Sequence, residues 1–171
     1  MNLDEWLARV AAVWERAPSM QGGDLVLAID TLADKRSPDD GLAMFERACA
    51  RDTAGVEGEA ERYYRAALLT QDLDSYRRSR AIIQLASTLR ILGRLDESEQ
   101  LLLQELDRHL AAGNERPLHD EARATLALTY VAQGRAVEAA GLALCTLAPR
   151  LSRYNRSIFG NASRLVSKTW A

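Results

Sequence analysis

One five-position pattern recurs along the chain with the same internal steps of 3, 4, 5 and 4 residues. It consists of a small residue, a large apolar residue, a glycine, a second small residue and a further apolar residue. Two copies, 41 residues apart, are Ala86, Leu89, Gly93, Ser98 and Leu102, and Ala127, Tyr130, Gly134, Ala139 and Ala143. A third copy begins at Ala48, 38 residues before the copy at Ala86, and has Arg51 where a large apolar residue is expected. Such a period is typical of stacked structural repeats, because each unit buries its apolar face only against its neighbours.

The residue types in this pattern predict pairs of closely packed helices. Small side chains at the first and fourth positions, such as Ala86 and Ser98, allow two helix axes to approach where they cross. The glycine at the third position can adopt the left-handed conformation that ends a helix and reverses the chain. We therefore expect the two small residues on consecutive helices and the glycine in the turn between them.

The apolar residues have helical spacing over almost the whole chain. No window of alternating apolar and polar residues is long enough to require a strand. Proline and glycine divide the chain into about nine helices, and Ser37 is expected to cap the third, with Pro38 in its first turn. The expected helices cover approximately residues 3–17, 25–32, 38–52, 57–69, 75–92, 96–112, 117–133, 136–147 and 152–168.

The chain resembles the tetratricopeptide repeat family over roughly residues 41–151, in the strings LASTLRILGRLDESEQLLLQEL, LALTYVAQGRAVEAAGLAL and TAGVEGEAERYYRAAL. The resemblance implies an all-α fold in which antiparallel helix pairs stack into a right-handed superhelix. It also implies a concave face, lined by the first helix of each pair, that binds a peptide or protein segment. Two features depart from the family. The offsets of 38 and 41 exceed its usual period of about 34, and Ile82 and Arg123 replace its bulky aromatic residue.

A chain of 171 residues is expected to form a single domain. The connections between the expected helices are short, and none has the composition of an interdomain linker. We therefore interpret residues 1–171 as one tetratricopeptide-like domain. Its expected parts are a degenerate N-terminal helix pair at 1–36, three clearer repeats at 37–151 and a C-terminal capping helix at 152–171.

Composition excludes several classes of protein. With 47% hydrophobic and 27% charged residues, the chain is neither disordered nor collagenous. Two cysteines cannot form a disulfide scaffold, and the N-terminus shows no basic secretory signal. The longest uncharged helical stretch, residues 139–149, is too short to span a bilayer. We expect a soluble, cytoplasmic protein that does not bind a membrane.

Charge is distributed unevenly along the chain. Residues 1–75 carry a net charge of −7, whereas the last 25 residues have no acid. The bases of this last segment are Arg150, Arg153, Arg156, Arg164 and Lys168. A basic segment can bind an anion or nucleic acid, here with Tyr154, Phe159 and Trp170 as stacking groups. Five charges fall short of the basic stripe of a nucleic-acid-binding protein, so a solvated or packed last helix is the simpler interpretation.

The sequence contains no recognisable catalytic, cofactor-binding or metal-binding motif. His109 is interpreted as a cation near a helix C-terminus. His119 and the two acids that follow it point in different directions on a helix, so they do not predict a metal site. Cys49 and Cys145 are interpreted as small apolar residues of packed helices. We therefore expect no enzymatic activity, no cofactor and no bound metal.

The remaining candidate for function is a binding surface on the first helix of each pair. The residues expected to line its groove are Leu42, Phe45 and Cys49, then Arg80, Ile83, Gln84, Ser87 and Arg90, then Glu121, Ala124 and Leu128, and finally Arg156, Phe159 and Ser163. Arg80 and Arg90 offer forked donors to carboxylates or carbonyl groups of an extended segment. Ile83 and Ser87 replace the Lys and Asn with which some family members clamp chaperone C-terminal tails, which disfavours that class of ligand.

We therefore expect a non-enzymatic module that binds an unidentified protein or peptide in its groove, through a preorganised surface that loses little entropy on binding. Two alternatives remain open. The first is anion or nucleic-acid binding by the basic C-terminal segment. The second is self-association as a structural adaptor, in which Trp6, Trp14 or Trp170 covers the apolar end of the helix stack in a homo-oligomer.

Overall fold

The computed structural model describes residues 1–111 and 118–166, in which helices are joined by short turns. No strand occurs in these two ranges, and the predicted all-α fold class is confirmed. The helices are α1 (Leu3–Arg16), α2 (Gly22–Ala33), α3 (Gly41–Thr53), α4 (Glu57–Leu69), α5 (Ser75–Ile91), α6 (Leu95–Ala111), α7 (His119–Ala132), α8 (Ala136–Leu147) and α9 (Asn155–Ala162). None of these helices is both long enough and apolar enough to cross a bilayer.

The chain forms two compact units, Met1–Thr88 and Leu89–Ala171, and the boundary falls near the end of α5. The first unit contains α1 to α4 and most of α5. The second unit contains α6 to α9. The single-domain organisation expected from the sequence stays a prediction.

In the first unit, α3 lies against both helices of the α1–α2 pair. Buried side chains of α1 and α2 form one apolar cluster that also includes Ala43 and Ala50 of α3. The fully buried Trp6 donates its indole N–H to a backbone carbonyl near the end of α2, at 2.9 Å. Trp14 joins α1 to α3 by donating its indole N–H to the Glu46 carboxylate at 2.7 Å. The small residues of α3 allow it to approach the pair closely.

The small residues of the repeat lie inside the helix pairs. Ala48 on α3 and Ala60 on α4 are fully buried, and these two helices pack against each other. In the second unit, Ala127 on α7 and Ala139 on α8 are 7% and 5% exposed, and these helices also pack together. The expectation that the first and fourth repeat positions lie on consecutive packed helices is confirmed for these two copies.

The three repeat glycines end helices in the left-handed conformation. Gly55, Gly93 and Gly134 have φ values of 73°, 77° and 78°. In each case the residue that follows the glycine donates its N–H to the carbonyl of the residue four positions before the glycine, at 2.9, 2.9 and 2.8 Å respectively. This bond satisfies a carbonyl that the end of a helix would otherwise leave without a donor. The predicted role of these glycines is therefore confirmed.

The second unit is a succession of packed helices. Ser98 on α6 and Thr129 on α7 form a buried hydroxyl–hydroxyl hydrogen bond at 3.0 Å. The α9 helix and the 3₁₀ turn after it, Ser163–Leu165, pack against α8. They approach α8 at Gly141, where a Cβ atom would lie 2.7 Å from the Cβ of Leu165. Only glycine at this position permits so close a contact.

Two predicted helix starts are wrong. The third helix begins at Gly41, because Asp40 caps it by accepting the Ala43 N–H at 2.9 Å; Ser37 and Pro38 lie in the preceding turn. The last helix begins at Asn155 instead of residue 152, because Tyr154 has a φ of 63°. It ends at Ala162, and the expected continuation through residue 168 is replaced by a 3₁₀ turn up to the last described residue. Pro117, predicted to start the seventh helix, lies outside the described residues.

Candidate protein-interaction site

In the first unit, the predicted groove residues of α3 are partly or fully buried. Phe45 is fully buried, and the guanidinium carbon of Arg80 lies 5.2 Å from the centre of its ring. Leu42 is partly buried against the cluster formed by α1 and α2. Cys49 is also buried. The structure therefore places Phe45 and Cys49 in the core and not on an open wall, because helical spacing alone does not show which apolar face a neighbouring helix covers.

The predicted groove residues on α5 are also engaged or partly covered. Ile83 is 9% exposed, and the Gln84 side-chain oxygen accepts the Cys49 thiol at 3.5 Å. Ser87 and Arg90 are each partly buried. Of the predicted wall on this helix, no described side chain is fully open to solvent.

In the second unit, the predicted groove residues lie on an open surface. Glu121, Ala124 and Leu128 are exposed, and Leu128 is 54% exposed. Ala124 and Leu128 form part of a groove of about 630 Å³ between α7 and α8. Its remaining lining consists of Ala127 and Val131 on α7, Ala136, Ala139, Ala140, Ala143, Thr146 and Leu147 on α8, and Arg150 just beyond α8.

This groove, which we call the α7–α8 groove, is almost entirely apolar. Only Thr146 and Arg150 contribute polar side chains to its lining. Val131 and Leu147, on its two helices, are 56% and 48% exposed. The exposed positions of α7 lie on the helix face opposite Leu126, which is fully buried. Contiguous exposed apolar surface of this kind marks interaction sites in soluble proteins.

The sequence predicts Leu128 on the binding surface but not the second wall of the groove, which α8 supplies. The signal for that wall is the uncharged stretch at residues 139–149, which above served only to exclude a membrane span. An uncharged run of alanine and leucine on a helix of 12 residues leaves both its faces apolar. One face packs against neighbouring helices, and the other borders the groove.

The basic segment lies at the C-terminal end of α8. Arg150 pairs with Asp120, whereas Arg153, Arg156 and Arg164 are exposed and form no ion pair with a described residue. Arg156 and Phe159 border a cleft of about 210 Å³ together with Pro149 and Asn155. Lys168 and Trp170, also considered above, lie outside the described residues. Of the described bases in this segment, only Arg150 lines the α7–α8 groove, and its charge is paired with that of Asp120.

The tryptophans predicted to cover an interface have other roles in the first unit. Trp6 is fully buried, and Trp14 is bound to Glu46. A second groove of about 550 Å³ lies between α1 and α2, but Arg9, Arg16 and Asp24 contribute to its lining. It is therefore less apolar than the α7–α8 groove.

The cysteines are poorly suited to nucleophilic chemistry. Burial raises the pKa of the Cys49 thiol to about 12, so the thiolate is scarcely populated at neutral pH. The Tyr64 hydroxyl contacts the Cys49 sulfur at 3.7 Å and the Asp52 carboxylate at 3.3 Å. Burial also raises the pKa of Cys145. Within residues 1–111 and 118–166, no group of three His, Cys, Asp or Glu side chains could hold a metal ion.

The two histidines, which the sequence separates, meet between α6 and α7. The Nδ1 atoms of His109 and His119 lie 3.2 Å apart, and His109 Nε2 lies 2.9 Å from the Glu105 carboxylate. Glu105 and His109 are fully buried. Burial, with a smaller contribution from the Arg123 charge, lowers the pKa of His119. These contacts link two packed helices.

Comparison with protein families identifies the chain. A family model described as tetratrico peptide repeat matches residues 41–165. The chain belongs to the tetratricopeptide repeat family. The match begins at the first residue of α3 and extends through α9, beyond the region of resemblance in the sequence. No curated protein and no solved structure matches the chain significantly.

Membership of the tetratricopeptide repeat family indicates a scaffold for protein–protein interaction, and the family is generally non-enzymatic. Arg123, which replaces the bulky aromatic residue of the family, is buried in the structure. Arg123 is 7% exposed, and its Nε atom has no hydrogen-bond partner among the described residues. Burial lowers its pKa. A buried arginine thus fills volume that a bulky aromatic residue fills in typical tetratricopeptide repeats.

Proposed function

We propose that this protein is a non-enzymatic interaction scaffold and that a partner protein docks in the α7–α8 groove. The observation that carries the proposal is the groove itself, which is about 630 Å³ in volume and lined mainly by alanine, leucine and valine. Covering such a surface removes apolar area from water, which is favourable by about 25 cal/mol per Å². The tetratricopeptide family supplies the class of partner, which is another protein.

The groove suits a protein segment because its lining combines a flat region with raised edges. Alanines at 136, 140 and 143 on α8 leave room for a close approach of a backbone or a large side chain. The exposed Leu128 and Val131 on α7 provide apolar edges. The lining offers few of the converging polar groups that usually fix a small-molecule ligand.

Site-specific photocrosslinking tests this function. A photoreactive amino acid is introduced at Ala140 in the groove or, as a control, at Leu69, which is 85% exposed on α4. We expect a crosslinked protein from position 140 that is absent from position 69 and is lost when Leu128→Glu is added. The protein recovered is then purified and its binding is reconstituted. Equal crosslinking from both positions, or binding that survives Leu128→Glu, would contradict the proposal.

The α5 surface that the sequence favoured remains a second candidate for partner contact. Arg80→Gln with Arg90→Gln removes two charges and keeps polar side chains at both positions. If this pair of substitutions abolishes binding of the reconstituted partner while Leu128→Glu does not, the partner binds α5 and not the α7–α8 groove.

A further inference from the structure

The contact between His109 of α6 and His119 of α7 limits the number of protons that these two side chains can hold. Their Nδ1 atoms lie 3.2 Å apart, which is a hydrogen-bond distance. An imidazole nitrogen donates when it carries a proton and accepts when it does not. One proton can lie between the two Nδ1 atoms, whereas two protons would set two donors against each other. The contact is therefore compatible with a neutral or a singly protonated pair, and not with two protonated rings.

Glu105 determines which nitrogen of His109 carries a proton. Its Oε1 atom lies 2.9 Å from His109 Nε2, and its Oε2 atom lies 3.0 Å from Arg108 Nη1. An ionised carboxylate only accepts hydrogen bonds, so His109 Nε2 donates to Glu105. Both side chains are fully buried, so water does not replace this bond if it breaks. In the neutral pair, His109 Nδ1 then accepts the proton of His119 Nδ1.

The surroundings of His119 on α7 disfavour a second positive charge on the pair. Burial lowers the pKa of His119, and the charges of Arg123 and His109 lower it further, while Asp120 opposes the shift. Arg123 is 7% exposed and forms no ion pair with a described residue. Its charge is consequently less screened by water than that of a surface arginine.

The α8 helix and the turn after it do not offset this effect. Cys145 of α8 interacts with Arg123, but burial raises the pKa of the thiol, so it stays neutral at neutral pH. Arg150, which follows α8, pairs with Asp120. The acid that favours a charged His119 is therefore already shared with an arginine.

We propose that His109 and His119, which we call the histidine pair, form a pH-sensitive contact that joins the end of α6 to the start of α7 and opens when both rings are protonated. A histidine whose pKa is lowered by folding stabilises the folded state above its usual value, here 6.5. This stabilisation declines as the pH falls below that value, because the unfolded chain then binds the proton more tightly. The contact is a property of the chain alone and does not depend on the proposed docking of a partner.

Nitrogen NMR of the imidazole rings tests the proposal in the unsubstituted chain. Long-range ¹H–¹⁵N correlations between pH 8 and 5 show which ring nitrogens carry protons. At pH 8 we expect His109 to be protonated at Nε2 and His119 at Nδ1. As the pH falls, the pair should take up one proton first, and the next only with loss of the nuclear Overhauser effects between the two rings. Two fully protonated rings that keep this contact would overturn the proposal.

Amide hydrogen exchange tests the consequence for α7. Protection factors at pH 7.5 and 5 are compared in the wild type and in His119→Gln, whose amide can still donate to His109 but does not titrate. In the wild type, the protection of the Ala122 amide, which donates to the Leu118 carbonyl in the first turn of α7, should fall several-fold at pH 5. In His119→Gln it should change little. The amide of Ala139, in the first turn of α8, is the internal control and should keep its protection in both proteins.

The two experiments decide the proposal without a partner. An equal loss of protection at Ala122 in both proteins would overturn it, because a group other than His119 would then cause the opening. The ring titration needs no substitution, so it gives an answer even if His119→Gln does not fold. Failure of the histidine pair to respond to pH leaves the proposed docking in the α7–α8 groove unaffected, since that groove is tested by crosslinking at Ala140.

Discussion

Arg51 holds both carboxylate oxygens of Asp30, with Nη1 at 3.0 Å from Oδ1 and Nη2 at 2.9 Å from Oδ2. Its Nε donates to Glu59 at 2.8 Å, and its guanidinium carbon lies 4.6 Å from the centre of the Tyr63 ring. Arg51 occupies the repeat position that Leu89 and Tyr130 fill in the other copies. Carboxylates from α2 and α4 thus compensate a charge at a position where the repeat expects an apolar side chain.

Arg51→Ala should lower the free energy of unfolding by about 2 to 3 kcal/mol. Removal of one partner from a buried ion pair costs more than this, but Asp30 and Glu59 here retain access to water and can be hydrated. Urea denaturation measures the change. Arg62→Ala, an exposed arginine on the same helix as Glu59, should change stability by less than about 0.5 kcal/mol. Equal effects from both substitutions would mean that the Arg51 network contributes nothing.

Ala60→Leu should destabilise the protein by about 1 to 3 kcal/mol, because Ala60 is fully buried in the α3–α4 contact and the larger side chain forces the helices apart. Ala11→Leu, at an exposed position of α1, is the matched control and should be nearly neutral. Thermal melts of the two variants measure the difference. A stable Ala60→Leu variant would show that these helices do not depend on small residues for their approach.

Gly134→Ala should lower stability by about 1 to 2 kcal/mol, because a Cβ atom is unfavourable at a φ of 78°. No atom lies within 4 Å of the added Cβ, so the effect is conformational and not a clash. Gly160→Ala, in the α9 helix and also without a close neighbour, should instead stabilise by about 0.5 to 1 kcal/mol. Chemical denaturation would contradict this explanation if the two changes had the same sign.

Glu46→Gln should stabilise the protein at pH 7. Burial raises the pKa of Glu46 above its usual 4.5, although the Trp14 hydrogen bond and the Arg80 charge oppose the shift. The folded state therefore binds this proton more tightly than the unfolded state. The resulting stabilisation is complete below pH 4.5 and is lost as pH rises through the folded-state pKa.

Glutamine mimics the protonated carboxyl group and still accepts the Trp14 N–H, so the advantage of Glu46→Gln should shrink as the pH falls towards 4. Urea midpoints of both proteins between pH 4 and 8 measure this trend. A variant that is less stable than the wild type at pH 7 would mean that attraction to the neighbouring arginines outweighs the cost of burial.

Local features of this fold were predictable from the sequence. The bounds of α4 and α8 agree with the helical spacing and the flanking glycines and proline. Gly55, Gly93 and Gly134 were predictable because only glycine readily adopts their conformation. These features depend on residues close in sequence, where spacing and residue type carry enough information.

Features that depend on contacts between distant segments were not predictable. Phe45 has the spacing of a groove residue, but in the structure it is fully buried, next to Tyr64 and with the Arg80 guanidinium above its ring. The contact of His109 with His119 requires the relative register of α6 and α7, which helical periodicity does not determine. The open wall of α8 likewise depends on where α9 packs.

The α7–α8 groove can be tested most directly by nuclear magnetic resonance. Amide signals of the labelled chain are followed while the partner recovered by photocrosslinking at position 140 is added. We predict that the largest shifts map to Ala124, Leu128, Ala140 and Ala143, and that they disappear in Leu128→Glu. Shifts concentrated instead around Arg80 on α5, or no saturable shifts at all, would contradict a partner-binding groove between α7 and α8.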